Sequence, residues 1–184
     1  RYLAQPRLVL AWVLAAGRNG WWVMFFVYTP IFVSESGLDP EVGGALVSLG
    51  VAPMLFVRYW GRLGARFGIR KLLIASYIGC GVFTISAGVM GAQPWVAIIL
   101  LWTSALAATV IDGAGNVPFL RAVHPHERSE MTPIFMTFRY ATSLLTPALF
   151  AIVLAFLPLN FVFVAGGCVA VGMGLLSTYL PRRL

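Results

Sequence analysis

Apolar residues run along this chain almost without a break, and the polar interruptions are short. A helix that crosses a bilayer needs about 20 mostly apolar residues, with a range of roughly 17 to 25. Six stretches meet that requirement, near 8–33, 42–60, 72–91, 95–121, 132–157 and 160–180. The connections between them read SESGLDPE, GRLGARFGIRK, GAQPW, AVHPHERSE and LPLN, none long enough to fold as a separate soluble unit. The pattern predicts an all-α membrane protein, a single six-helix transmembrane domain over 1–184 with little outside the bilayer.

Composition agrees: 60% of the residues are hydrophobic and only 10% are charged, where soluble domains carry about a quarter charged residues. Such a chain has too little polar surface to face water, so lipid is its solvent. The net charge of +7 points to nucleic acid only if it gathers on one solvent face, and here it sorts by membrane side instead. Six spans put the two ends and the second and fourth connections together. That side holds Arg1, Arg7, Arg58, Arg62, Arg66, Arg70, Lys71, Arg121, Arg128, Arg182 and Arg183, whereas the opposite connections hold no cation and carry Glu35, Asp39 and Glu41. Positive loops stay in the cytoplasm, so both termini are expected there. Arginine outnumbers lysine twelve to one, a bias of GC-rich bacterial genomes, which makes a bacterial inner membrane the expected location. The opening RYLAQPRLVL lacks an initiator methionine and no cleavage site follows the first apolar run. The expectation is a piece of a longer chain with no signal peptide. Cys80 and Cys168 stand singly in separate apolar runs, with no redox or metal spacing, and are expected to act as small packing residues.

Two cations and one anion remain inside the spans: Arg18, Arg139 and Asp112. At 1.5 Å of rise per residue, they fall roughly 15, 10 and 13 Å from the cytoplasmic ends of their helices. Three helices thus place a charge in one layer just inside the midplane. Charged groups in a membrane face the bundle interior or a wet cavity, and pair. Asp112 is the one carboxylate at that depth, and either arginine is a possible partner. Burial beside an arginine leaves its protonation finely balanced, which makes it the proton-coupling candidate. A fixed pair that merely orients helices, or an arginine snorkelling to the interface, is the plainer explanation. On the first span Arg18, Trp21, Phe25 and Tyr28 share one face, with Asn19, Trp22 and Phe26 beside it. On the fourth, Ala108, Asp112 and Asn116 align at i, i+4 and i+8 within DGAGNVP. That run is poorly helical by propensity, and such interruptions mark binding regions in transporters. Close packing through small residues explains its glycines equally well.

The first, fourth and fifth spans carry internal charges, whereas the third and sixth carry none. Two groups of three spans, each with a charged first and a clean third member, outline a 3+3 inverted repeat. The second connection adds a motif. In YWGRLGARFGIRKLL, residues Gly61, Arg66, Gly68, Arg70 and Lys71 fit a pattern G-x-x-x-D-[RK]-x-G-x-[RK]-[RK]. It resembles the signature loop of the major facilitator superfamily, with Ala65 where that family has aspartate. The resemblance implies one six-helix half of a twelve-helix transporter. The lost aspartate, the missing methionine and the ending PRRL suggest the carboxy-terminal half. It also implies that the first, second, fourth and fifth helices approach a central cavity, with Pro53 and Pro147 as helix bends. Arg66, Arg70 and Lys71 would hold a cytoplasmic gate.

The reading that results is secondary active transport of a small solute by alternating access. The driving force would be a proton or another ion, and Arg18, Asp112 and Arg139 would line the midplane site. The expected partners are the solute, the lipid bilayer and the other six-helix half, with no nucleic acid, cofactor or metal. An intramembrane enzyme lacks its parts: Ser48 in ALVSLG has no G-x-S-x-G frame, no span holds a histidine, and Asp112–Gly113 lacks the further aspartates of a phospholipid-headgroup transferase. His124 and His126 form a short H-x-H loop with too few ligands for a structural metal site. The alternative is a non-transporting receptor or scaffold in which the internal charges form a static pair.

Overall fold

A computed structural model describes residues 5–181, so Arg1, Arg182 and Arg183 of the basic side lie outside the described residues. The described chain contains eight α-helices, α1 (Pro6–Glu35), α2 (Pro40–Val51), α3 (Val57–Phe67), α4 (Ile69–Val89), α5 (Pro94–Ala114), α6 (Val117–Ala122), α7 (Arg128–Phe156) and α8 (Asn160–Leu176). They combine into six helical runs long and apolar enough to cross a membrane: Pro6–Glu35, Pro40–Phe67, Ile69–Val89, Pro94–Ala122, Pro125–Phe156 and Asn160–Tyr179. The protein is therefore an all-helical integral membrane protein. Proline opens α1, α2 and α5, where its missing N–H costs no helical hydrogen bond and its fixed φ suits the first turn.

Two boundaries differ from the sequence reading, for one reason. The second span does not end near residue 60 but continues as helix to Phe67, and the fifth begins helically at Arg128. Charged residues end an apolar run without ending a helix, since Arg is a good helix former. The expected loop GRLGARFGIRK is in fact helix on both sides of Gly68, whose φ of +88° is a backbone state that side-chain-bearing residues rarely adopt. Pro53 sits in a 3-10 turn, Ala52–Phe56, that divides the second span. Pro147 lies within α7, which runs on through it to Phe156.

The most extensive packing joins α4 to α8, followed by α4 to α5. The α4–α8 seam is built on close-packed glycines: Gly81 faces Gly167, Gly88 faces Asn160 and Val164, and Gly174 faces Ile78. A Cβ on Gly81 would stand 2.6 Å from the Gly167 carbonyl oxygen, and one on Gly167 would stand 2.7 Å from that of Gly81. Among apolar helices in lipid, close approach through small residues supplies the association that the hydrophobic effect does not. Around this seam, α1 packs on α7, α8 and α2, and α5 packs on α2 and α3. The second and fifth spans are the least covered: 17% of the apolar window of each is buried, against 39–50% in the other four. A second apolar cluster joins the start of α1 to α6 and α7 through Leu8, Phe119, Phe135 and Phe138, with Phe119 and Phe135 stacked at 4.1 Å.

Candidate functional site

The fourth span breaks where its propensity is weakest. Helix α5 ends at Ala114, Gly115 and Asn116 form a turn, and α6 restarts at Val117 with Pro118 in its first turn. The break sets Asp112 in the last turn of one helix and Asn116 at the N-cap of the next, both facing Arg18 of α1. Arg18 Nε lies 3.1 Å from Asp112 Oδ1, and its Nη2 donates to Asn116 Oδ1 at 3.2 Å. The second Asp112 oxygen accepts from Trp22 Nε1 at 2.7 Å, so the carboxylate is held by two different donors from one helix. The guanidinium also lies over the Phe138 ring of α7, 5.8 Å from its centroid. Gly115 makes room for it, since a Cβ there would stand 2.7 Å from Arg18 Nη1.

Arg18 is 8% exposed and Asp112 22%. The two charges are largely removed from water, and either one left alone would carry a desolvation cost of several kcal/mol (about 3–5 when one partner of a buried pair is deleted). Arg139, the third charge expected in this layer, does not join the pair. Its side chain is exposed on α7, near enough to Asp112 to attract it electrostatically but with no hydrogen bond to it among the described residues. Asn19 bridges α1 to α7, donating from Nδ2 to Thr142 Oγ1 at 2.6 Å. Asn19 and Trp22 thus reach to either side, one to α7 and one to α5. With Phe26 they form a polar-aromatic stripe along α1 between the two flanking helices, and Phe26 is left exposed.

Of the aromatic residues expected beside Arg18, Phe25 and Tyr28 pack into the bundle, whereas Trp21, itself mostly buried, also lines a pocket of about 480 Å³ between α1, α7 and α8. Trp21 stacks on Phe25 at 5.2 Å and donates to Thr84 Oγ1 of α4 at 2.9 Å. Thr84 Oγ1 lies 2.6 Å from Ser104 Oγ of α5, and both hydroxyls lie within reach of the Cys80 carbonyl, so one hydroxyl donates to the other and the second to that carbonyl. Phe25 is fully buried and fills the space left by Gly50 on α2. Tyr28 meets Phe150 of α7 edge to face at 5.4 Å. Of the eight residues singled out from sequence, Arg18, Asp112 and Asn116 converge directly. Asn19 flanks them, Arg139 lies at a distance, and Trp21, Phe25 and Tyr28 are core. Trp22, which the sequence reading placed on the neighbouring face without giving it a role, supplies a hydrogen bond to Asp112. Its position four residues from Arg18, one turn along the helix, was the available signal.

The residues of the basic motif take distinct places. Gly61 and Arg66 lie exposed on α3, Gly68 makes the turn, and Arg70 and Lys71 open α4. Arg70 Nη2 donates to the Thr178 carbonyl oxygen, which ties the start of the third span to the end of the sixth. Arg66 covers the Phe67 ring at 5.7 Å. Cys80 is buried beside Ser104, whereas Cys168, expected to pack inside, is exposed on α8. His124 and His126 are exposed and stack on each other.

No protein-family profile matches the chain, and no curated protein or solved structure matches it with significant similarity. The functional reading therefore stands on the residues and their arrangement.

Proposed function

We propose that this chain is one six-helix half of a secondary active transporter of the major facilitator type, its termini in the cytoplasm of a bacterial inner membrane. It moves a small solute by alternating access, coupled to a proton or ion gradient. The observation that carries the reading is the Arg18–Asp112 pair, set deep in two spans at a helix break and flanked by the exposed Arg139. Ionisable groups at such depth line ion or substrate pathways far more often than they serve packing alone. Protonating Asp112 removes the charge that holds Arg18 and frees the guanidinium for an anionic group, so one site can couple a proton to a solute. Arg18 and Arg139 against one carboxylate favour an anionic or zwitterionic solute.

Two features of the packing support a 3+3 repeat. Burial across the spans runs high, low, high and again high, low, high. The contacts of the first span with the fifth are matched by those of the fourth with the second, while the third and sixth meet each other. The thinly covered second and fifth spans are the surfaces on which a second six-helix half would pack. The motif Gly61, Arg66, Gly68, Arg70 and Lys71 supports the family, and the cations of the second and fourth connections support the cytoplasmic side. The second reading, a non-transporting module with a static pair, is favoured by how fully Asp112 is engaged, with both oxygens taken.

The full-length protein in proteoliposomes separates them, with panels of anionic and zwitterionic solutes as probes. In Asp112→Asn, gradient-driven accumulation is expected to fall at least tenfold while counterflow exchange persists. Uptake by the variant equal to wild type would remove Asp112 from the mechanism, and no uptake of any solute by wild type would favour the static module.

A further inference from the structure

A pocket of about 310 Å³ opens between the start of α1, the end of α6 and the segment after α8. Two arginines from different helices line it, Arg7 in the first turn of α1 and Arg121 in the last turn of α6, and among the described residues no carboxylate does. Leu10, Ala122 and Leu180 give it an apolar floor, and Tyr179, 78% exposed, stands at its rim. All three chain segments here leave the apolar layer at this level: the first span begins at Pro6, the fourth ends at Ala122 and the sixth ends at Tyr179. An exposed tyrosine at span ends is characteristic of the headgroup region.

We infer that this pocket binds the phosphate of an anionic phospholipid headgroup. Arginine presents a planar fork of donors that matches phosphate oxygens, and arginines from two separate helices line one cavity. Arg7 is exposed and makes no ion pair or hydrogen bond among the described residues. Its place in a helix's first turn also opposes the macrodipole, so helix stability does not account for it. The shared chemistry would suit a free phosphate ion, but the apolar floor and the headgroup depth favour a lipid, whose glycerol and acyl carbons cover that floor. Basic pockets between transmembrane helices recognise anionic headgroups in this way. The inference needs only that the helices span a membrane, and its failure would leave the transport proposal untouched.

Native mass spectrometry of the full-length, delipidated protein with added phosphatidylglycerol or phosphatidylcholine tests it. The wild type is expected to retain phosphatidylglycerol at least tenfold more tightly than phosphatidylcholine. The double variant Arg7→Gln/Arg121→Gln is expected to lose about thirtyfold, two arginines' worth of attraction at the headgroup level, whereas Arg58→Gln/Arg62→Gln on α3 loses less than threefold. The single variants, each expected to lose about fivefold, carry the test if the double variant does not fold. Equal loss in the α3 variant would reduce the effect to diffuse surface charge and overturn the site. Equal retention of phosphatidylcholine, or displacement of the bound lipid by 1 mM inorganic phosphate (roughly; a competing free anion), would overturn the lipid assignment.

Discussion

The α4–α8 seam and the α1–α5 junction solve the same problem in opposite ways. At the seam, helices approach until Gly81 and Gly167 leave no room for a side chain, and attraction comes from backbone proximity and dispersion. At the junction, a helix is broken, a glycine is cleared, and a charged pair fills the gap with Trp22 and Asn116 around it. The first arrangement admits one geometry. The second holds a carboxylate whose protonation the proposed cycle uses, beside an exposed face of α1 and α7. A rigid seam beside a chargeable junction is what a bundle needs if one part is to stay fixed while another responds to a proton or a solute.

The largest expected effect breaks the seam. Gly81→Leu drives a side chain into the Gly167 carbonyl, where backbone must move. We expect a loss of about 3 kcal/mol or more, at the top of the overpacking range, read as a fall of roughly 10 °C in thermal midpoint in detergent. Gly172→Ala on the partner helix α8 meets nothing within 4 Å and is expected to be neutral or slightly stabilising through better helix propensity. If the two substitutions cost the same, close glycine contact is not what holds the seam.

The junction is expected to be softer. Asp112→Asn leaves Arg18 without its countercharge, and we expect about 2–3 kcal/mol, below the cost for a fully buried pair because Asp112 keeps 22% exposure. The double variant Arg18→Gln/Asp112→Asn should recover at least half of that loss. A double-mutant cycle in thermal stability measures the coupling, and additive losses would mean that the two charges do not act as a pair. The smallest effect sharpens the role of the break. Gly115→Ala places a methyl 2.7 Å from Arg18 Nη1 and 2.6 Å from the Ile111 carbonyl, and we expect about 1–2 kcal/mol. A stabilised Gly115→Ala protein would show that Gly115 is not shaped around the guanidinium.

Much of this was legible in the sequence. Bilayer thickness imposes a length, so six apolar runs gave six spans, and a buried charge needs a countercharge, so Asp112 was matched to an arginine, with Arg18 and Arg139 both left open as the partner. The disruption of the fourth span was visible because Gly, Asn and Pro have local conformational costs. What hid were properties of packing. Nothing in composition shows that Trp21 turns to Thr84 while Trp22 turns to Asp112, because adjacent residues on a helix differ by 100° and the neighbours decide which face is inside. Arg139 was placed in the charged layer by depth alone, and depth does not fix direction around the helix axis. The helical ends of the second and fifth spans were missed because charge was read as loop.

The central claim is that the exposed face of α1 and α7 beside the Arg18–Asp112 pair borders a water-filled pathway and not lipid. Thiol accessibility tests it most directly in the full-length protein in membrane vesicles, with Cys168 replaced by serine. Ser143→Cys, one turn from Arg139 on α7, and Phe26→Cys, one turn from Trp22 on α1, are both exposed in the bundle. They are predicted to react with a charged, membrane-impermeant methanethiosulfonate, while Val82→Cys on the outer face of α4 does not. Labelling of Ser143→Cys and Phe26→Cys no faster than of Val82→Cys would place that face in lipid and contradict the claim.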